Sequence, residues 1–129
     1  MSRLRTLSLS ALAILGATFI PASPAHAAGD QCYVADFYSD NVHRAWVSFC
    51  SNGEHFTAWD RAPDGMSAAI NWKVDGQSGS YTLWASGNDV SKGYNADYVE
   101  GTGIKFRACV GHANQSGFLG CSAWQGATA

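Results

Sequence analysis

The sequence has little positive charge. It contains 8 Lys and Arg residues against 10 Asp and Glu residues, and Arg3 and Arg5 lie at its very start. The other cations are spread singly between Arg44 and Arg107, so the sequence shows no Lys/Arg cluster. Nucleic acids and anionic membranes are bound through clustered cations. We therefore expect neither of them as a partner.

The sequence also lacks the motifs of common catalytic and metal centres. It has no G-x-S-x-G, no H-E-x-x-H, no C-x-x-C pair and no EF-hand spacing. We therefore predict no catalytic residue, no metal site and no cofactor. Two alternatives stay open: a small hydrolase that uses His55 or His112 as its base, and a calcium loop built on Asp60 and Asp64.

One long apolar run is present, over residues 7–20. Two arginines precede it, prolines end it, and the residues 25–27 (Ala-His-Ala) fit an A-x-A cleavage site. This pattern is typical of a secretory signal peptide. We predict that residues 1–27 are removed on export and that residues 28–129 form a single secreted domain. An uncleaved anchor is the alternative.

Four cysteines follow this segment: Cys32, Cys50, Cys109 and Cys121. An even number in a small exported domain predicts two disulfides rather than a metal site. A hairpin that turns at residues 40–42 places Cys32 opposite Cys50. A second hairpin, turning at residues 114–116, places Cys109 opposite Cys121. These two pairings are our prediction.

Alternation along the first hairpin separates an apolar face from a polar one. A three-residue turn over Asp40, Asn41 and Val42 pairs Ser39 with His43. The apolar face then carries Tyr33, Ala35, Phe37, Ala45, Val47 and Phe49. The opposite face carries Val34, Asp36, Tyr38, Arg44, Trp46 and Ser48. Because a slip of one residue would mix the two sets, the pattern supports this register.

Short segments with strand character recur along the rest of the chain, with turn residues between them. Strands are predicted at residues 54–60, 68–74, 80–86, 96–101 and 104–110, with a connection over 87–95 and a loose tail at 125–129. No segment keeps helical spacing for more than one turn. The prediction is an all-β, two-sheet antiparallel sandwich of about eight strands with two disulfide-closed hairpins. A small closed barrel is the alternative.

Several tryptophans fall where alternation predicts a side chain pointing away from the core. In the stretch "SYTLWAS", an inward Leu83 turns Trp84 outward. Trp72 shares a face with apolar neighbours and is assigned to the core. Stiff exposed rings suit contacts with a protein or a sugar. The predicted binding residues are Trp46, Trp84, Trp59, Tyr38 and Arg44. The alternative is that the rings only cover the disulfides or lie under long loops.

Four stretches, "HRAWVSF", "GEHFTAWD", "YNADYVEGTGIKFRACVG" and "GCSAW", resemble small, exported, two-disulfide β proteins of actinomycete type. The resemblance covers most of the chain after residue 27 and implies no activity. Similar small β proteins include tendamistat-like amylase inhibitors, which carry a Trp-Arg-Tyr triplet in a hairpin turn. This sequence has no such triplet, so amylase inhibition is not expected.

From these features we expect a secreted, non-catalytic binding module that engages an extracellular protein through exposed aromatics, as an inhibitor or as an assembly component. This hypothesis requires the rings of Trp46 and Trp84 to form one surface. A carbohydrate- or cell-wall-binding module that uses the same rings for stacking is the first alternative. A small secreted hydrolase is the second.

Overall fold

A computed structural model describes residues 31–129, in which nine strands form two antiparallel sheets. The strands are β1 (Cys32–Ser39), β2 (Val42–Cys50), β3 (His55–Asp60), β4 (Ser67–Val74), β5 (Tyr81–Ser86), β6 (Ser91–Asn95), β7 (Gly103–Gly111), β8 (Gly120–Cys121) and β9 (Gln125–Thr128). Sheet A has the order β1-β2-β3-β6, and sheet B has the order β5-β4-β7-β8 with β9 also paired to β7. The all-β prediction is confirmed. The predicted signal peptide lies outside the described residues.

The described part of the chain has no helix with the length and apolar character needed to cross a membrane. Both predicted disulfides are present, Cys32–Cys50 and Cys109–Cys121. Each joins residues that are direct partners across two antiparallel strands. Cross-links of this kind restrict the unfolded chain and are each worth about 2–4 kcal/mol of stability.

The register of the first hairpin is confirmed from Cys32–Cys50 as far as Phe37–Ala45, but its turn differs from the prediction. The turn has two residues, Asp40 and Asn41, both with positive φ (51° and 62°). This geometry matches the twist of a β-hairpin better than a three-residue turn does. Consequently His43 lies opposite Tyr38 instead of Ser39, and the intervening Arg44 has no partner on β1. The hairpin therefore contains a β-bulge.

The two sheets pack face to face through the alternating apolar residues of each strand. Phe56 of sheet A stacks on Trp72 of sheet B, with ring centroids 4.3 Å apart, and Phe49 lies 6.4 Å from Phe106. Trp72 is only 4% exposed, which confirms its assignment to the core. The inward positions predicted for β7 are also buried: Ile104, Phe106, Ala108 and Val110.

Three predictions about the rest of the chain are wrong: the connection over residues 87–95, the strand over residues 96–101 and the loose tail over residues 125–129. The predicted connection over residues 87–95 contains β6, which pairs with β3, whereas residues 96–101 form no strand. The tail is not loose, since β9 pairs with β7 and the terminal Ala129 is buried. Both missed strands consist mainly of exposed or small residues. Their position is set by backbone hydrogen bonds to a neighbouring strand, and such bonds leave no alternating pattern in the sequence.

Gly120 of β8 lies directly against the ring of Phe37 of β1. A Cβ atom added at Gly120 would lie 2.5 Å from Cζ of the Phe37 ring. The ring is partly buried against the core, so it has little room to move. A residue without a side chain is therefore required where these strands of the two sheets meet.

We expect Gly120→Ala to destabilise the protein by about 1–3 kcal/mol through overpacking against Phe37. Gly126→Ala is the matched control, because a Cβ at Gly126 meets no atom within 4 Å and its φ is not positive. Urea denaturation of both variants checks this. Equal stability of the two variants would contradict the packing.

Candidate functional site

Trp46 and Trp59 form an aromatic pair on the face of sheet A that points away from the core. They are direct partners in the register of β2 and β3. Their neighbours along each strand, Ala45, Val47 and Ala58, are fully buried, so alternation turns both indoles outward. The rings meet edge to face, with centroids 6.1 Å apart and an interplanar angle of 90°. Each tryptophan is half-buried.

The β-bulge extends this aromatic pair towards β1. It places His43 on the outer face, where its ring stacks on Tyr38 with centroids 4.5 Å apart. His43 Nε2 also lies 2.7 Å from Oδ1 of Asp36, and Asp36 is the register partner of Trp46. Tyr38, at 59% exposed, ends this row of side chains.

Two arginines border the tryptophans. The guanidinium of Arg61 lies 4.3 Å above the Trp59 ring and 3.5 Å from Asp89. Arg44 forms an ion pair with Asp64, and its other terminal nitrogen is 3.6 Å from Asp40. We call the set Tyr38, His43, Arg44, Trp46, Trp59 and Arg61 the tryptophan patch.

Two hydrogen-bond donors of the tryptophan patch are buried without a partner in the described residues: Arg44 Nε and Trp59 Nε1. A buried donor left unpaired costs about 1–3 kcal/mol. Native structures contain few such groups.

The structure does not place Trp84 with the other predicted binding residues. Ala85 is buried in the core, so Trp84 lies on the outer face of sheet B, on the opposite side of the sandwich from Trp46. There its ring packs against Phe118, with centroids 5.6 Å apart, and lies over Gly111. Trp46 and Trp84 therefore do not form one surface, and the condition that the binding hypothesis set for these two rings is not met. Alternation predicted that both point outward but gave no information on which sheet each strand joins.

Sequence reasoning missed an aromatic cleft of about 420 Å³ at the edge of the sandwich. Tyr81 of β5 and Tyr94 of β6 stand on either side of Trp72, with centroids 5.4 and 5.9 Å from it. Trp72 Nε1 donates a hydrogen bond to the Tyr98 hydroxyl over 3.1 Å, and burial raises the pKa of that phenol. The only sequence signal was the presence of three tyrosines between residues 81 and 98.

The histidines named for the hydrolase alternative lie apart. His55 hydrogen bonds to Asn95 and its ring covers Gly93, whereas His112 is exposed in the loop after β7. Neither is hydrogen bonded to a hydroxyl group within residues 31–129. Over the same residues, no three His, Cys, Asp or Glu side chains are grouped closely enough to hold a metal ion.

Comparison with known proteins gave no match. No family model matches the chain, and neither a curated protein nor a solved structure does so at the significance required. The site is therefore described by its own geometry.

Asp60, which was named for the calcium alternative, is the last residue of β3 and is only 2% exposed. Its carboxylate accepts hydrogen bonds from the backbone N–H of Ala62 (3.3 Å) and of Gly87 (3.1 Å). It thereby joins the loop between β3 and β4 to the loop between β5 and β6, and both of these loops pass from one sheet to the other. Burial raises the pKa of the Asp60 carboxyl above 3.8, and the nearby Asp64 adds to the rise.

A raised pKa means that the folded protein holds this proton more tightly than the unfolded chain. The stability from Asp60 is therefore fully present below pH 3.8 and is lost as the pH rises through the folded-state pKa. Relative to Asp60→Asn, we expect the free energy of unfolding of the wild type to fall as the pH is raised towards neutrality. Denaturant titrations of both proteins across this range measure the difference. A difference that is constant, or that changes in the wild type's favour, would contradict this assignment.

Proposed function

We propose that this chain is a secreted, non-catalytic module that binds an extracellular protein through the tryptophan patch. Trp46 and Trp59 form the centre of the contact, and Tyr38 and Arg44 lie at its margin. Two disulfides in a domain of this size fit an oxidising, extracellular setting. The observation that carries the proposal is the pairing of two outward indoles between two arginines on one sheet face.

A protein partner fits the composition and shape of this face. Trp, Tyr and Arg are the residue types that dominate binding energy in protein interfaces. An exposed apolar side chain continues the patch along β1, since Val34 is 48% exposed on the same face as Asp36 and Tyr38. The charges are mixed, since Arg44 and Arg61 are both near carboxylates. A broad surface with an apolar centre and mixed charges at its margin is typical of such interfaces.

The same features favour a protein over a neutral sugar in this position. The two indoles meet edge to face, so they do not form a flat platform on which successive sugar rings could stack. A protein side chain can insert between such groups without requiring a coplanar surface.

We expect the double variant Trp46→Ala/Trp59→Ala to lose partner binding by at least tenfold while keeping most of its thermal stability, because both rings point away from the core. Trp84→Ala is the matched control, since it removes an equally half-buried indole from the opposite face and should leave binding unchanged. Binding is measured by capturing the partner from the secretome of the producing organism and titrating it against each variant. Loss of folding in the double variant, or equal loss of binding in the control, would contradict the proposal.

A photo-crosslinking residue locates the contact independently of stability. Tyr38 and Leu119 are comparably exposed (59% and 66%), but Tyr38 lies on β1 of sheet A and Leu119 lies in the loop between β7 and β8 of sheet B. A crosslinker at Tyr38 should yield a covalent complex with the captured partner, and one at Leu119 should not. Crosslinking at Leu119 alone would assign the contact to the other face.

A further inference from the structure

The outer face of sheet B carries cations that are close in space although distant in sequence. Lys73 of β4 and Lys105 of β7 are direct register partners, and Arg107 is the next outward residue of β7. These three are half of the six Lys and Arg residues that follow residue 30. The expectation that the cations are scattered holds along the chain but not across this sheet.

This arrangement is unfavourable for the protein alone. Like charges placed directly opposite each other on neighbouring strands destabilise a sheet. Arg44 and Arg61 are near carboxylates, but Lys73, Lys105 and Arg107 have no ion pair within 4 Å in residues 31–129. Asp75, the residue after β4, lies over Gly103 at the end of this face and is the acidic group closest in register.

Arg107 is held in place beside the two lysines, with its guanidinium over the rings of Trp124 and Phe118. Its Nε donates a hydrogen bond over 3.0 Å to Oδ1 of Asn71, a residue that is 1% exposed. The Asn71 amide in turn donates to the backbone carbonyl of Tyr81 and to the Thr82 hydroxyl. The remaining guanidinium nitrogens have no partner in the described residues. The cation is therefore oriented before any ligand arrives.

A tryptophan stands beside these cations. The Trp124 ring is 4.3 Å from the Arg107 guanidinium and 5.1 Å from Lys73 Nζ, and 38% of the residue is exposed. Lys73, Lys105, Trp124 and Gly126 line an open cleft of about 320 Å³. Gly126 leaves the space next to the ring empty, since a side chain there would meet nothing within 4 Å. The volume of this cleft is at the lower end of the range for small-molecule sites.

We propose that this cleft binds a uronic acid unit of an acidic polysaccharide. The lysines would hold the carboxylate, and the exposed part of the Trp124 ring would contact the apolar face of the sugar. Nucleic acid is a weaker fit, because its sites spread cations along a backbone, and the net charge of −2 repels a polyphosphate at long range. The cleft shares no residue with the tryptophan patch, so the proposal of sugar binding does not depend on the proposal of a protein partner.

Isothermal titration with trigalacturonate tests this site, and the methyl-esterified trimer provides a probe with the same rings and no charge. We expect the wild type to bind the acid, to bind it less tightly as NaCl is added, and to bind the ester at least tenfold more weakly. Triglutamate separates charge from sugar and should also bind at least tenfold more weakly. No binding of trigalacturonate, or equal binding of the ester or of triglutamate, would overturn the proposal.

Lys105→Glu assigns the binding to the cleft. It replaces a like-charged pair with an opposite-charged one, so the melting temperature should stay the same or rise while trigalacturonate binding falls at least tenfold. Lys92→Glu makes the same change of charge at an exposed position of β6 in sheet A and should leave binding unchanged. An equal loss in both variants would mean that net charge alone attracts the ligand, and unchanged binding in Lys105→Glu would place it elsewhere. Either result overturns the proposal.

Discussion

The contact between Phe56 and Trp72 across the two sheets is the constraint on which the rest of the structure depends. Each ring fixes which face of its sheet is turned inward. Because side chains alternate along a strand, that choice also fixes which residues point outward on every paired neighbour. Trp46 and Trp59 are outward because Ala45, Val47 and Ala58 are in the core. The composition of the two outer faces is thus a consequence of how the core is packed.

The two outer faces differ in whether their cations are paired with carboxylates. On sheet A, arginines are near carboxylates and frame two indoles, which gives a surface of mixed charge with an apolar centre. On sheet B, Lys73 and Lys105 face each other without a carboxylate partner, beside a partly exposed Trp124. The first arrangement suits a protein surface, and the second suits an anion.

The local features of the fold could be predicted because they depend on neighbouring residues. Alternation gave the register of the first hairpin and with it Cys32–Cys50, and a second hairpin that turns at residues 114–116 gave Cys109–Cys121. The bulge at Arg44 could not be predicted, because a two-residue turn and a three-residue turn both fit the letters around Asn41. The strands β6 and β9 were missed because their pairing is made by the backbone and their short sequences show no alternation of apolar and polar residues.

The candidate site was predictable only in part, for a related reason. Alternation shows that a side chain points outward, but the order of strands in each sheet decides which outward residues meet. Trp46 and Trp59 are close in sequence and became register partners. Trp84 joined the other sheet, and Lys73 met Lys105 through the long-range pairing of β4 with β7. Such contacts depend on the order of the strands in each sheet, and alternation along single strands does not reveal that order.

The central claim of these proposals is that the two outer faces bind their ligands independently. It is tested most directly by following the five tryptophan indole signals in a proton–nitrogen correlation spectrum as trigalacturonate is added. The indole signal of Trp124 should shift progressively with ligand, while those of Trp46, Trp59 and the buried Trp72 stay in place. Shifts at Trp46 and Trp59 without a shift at Trp124 would contradict the account, because the acidic sugar would then occupy the face assigned to the protein partner.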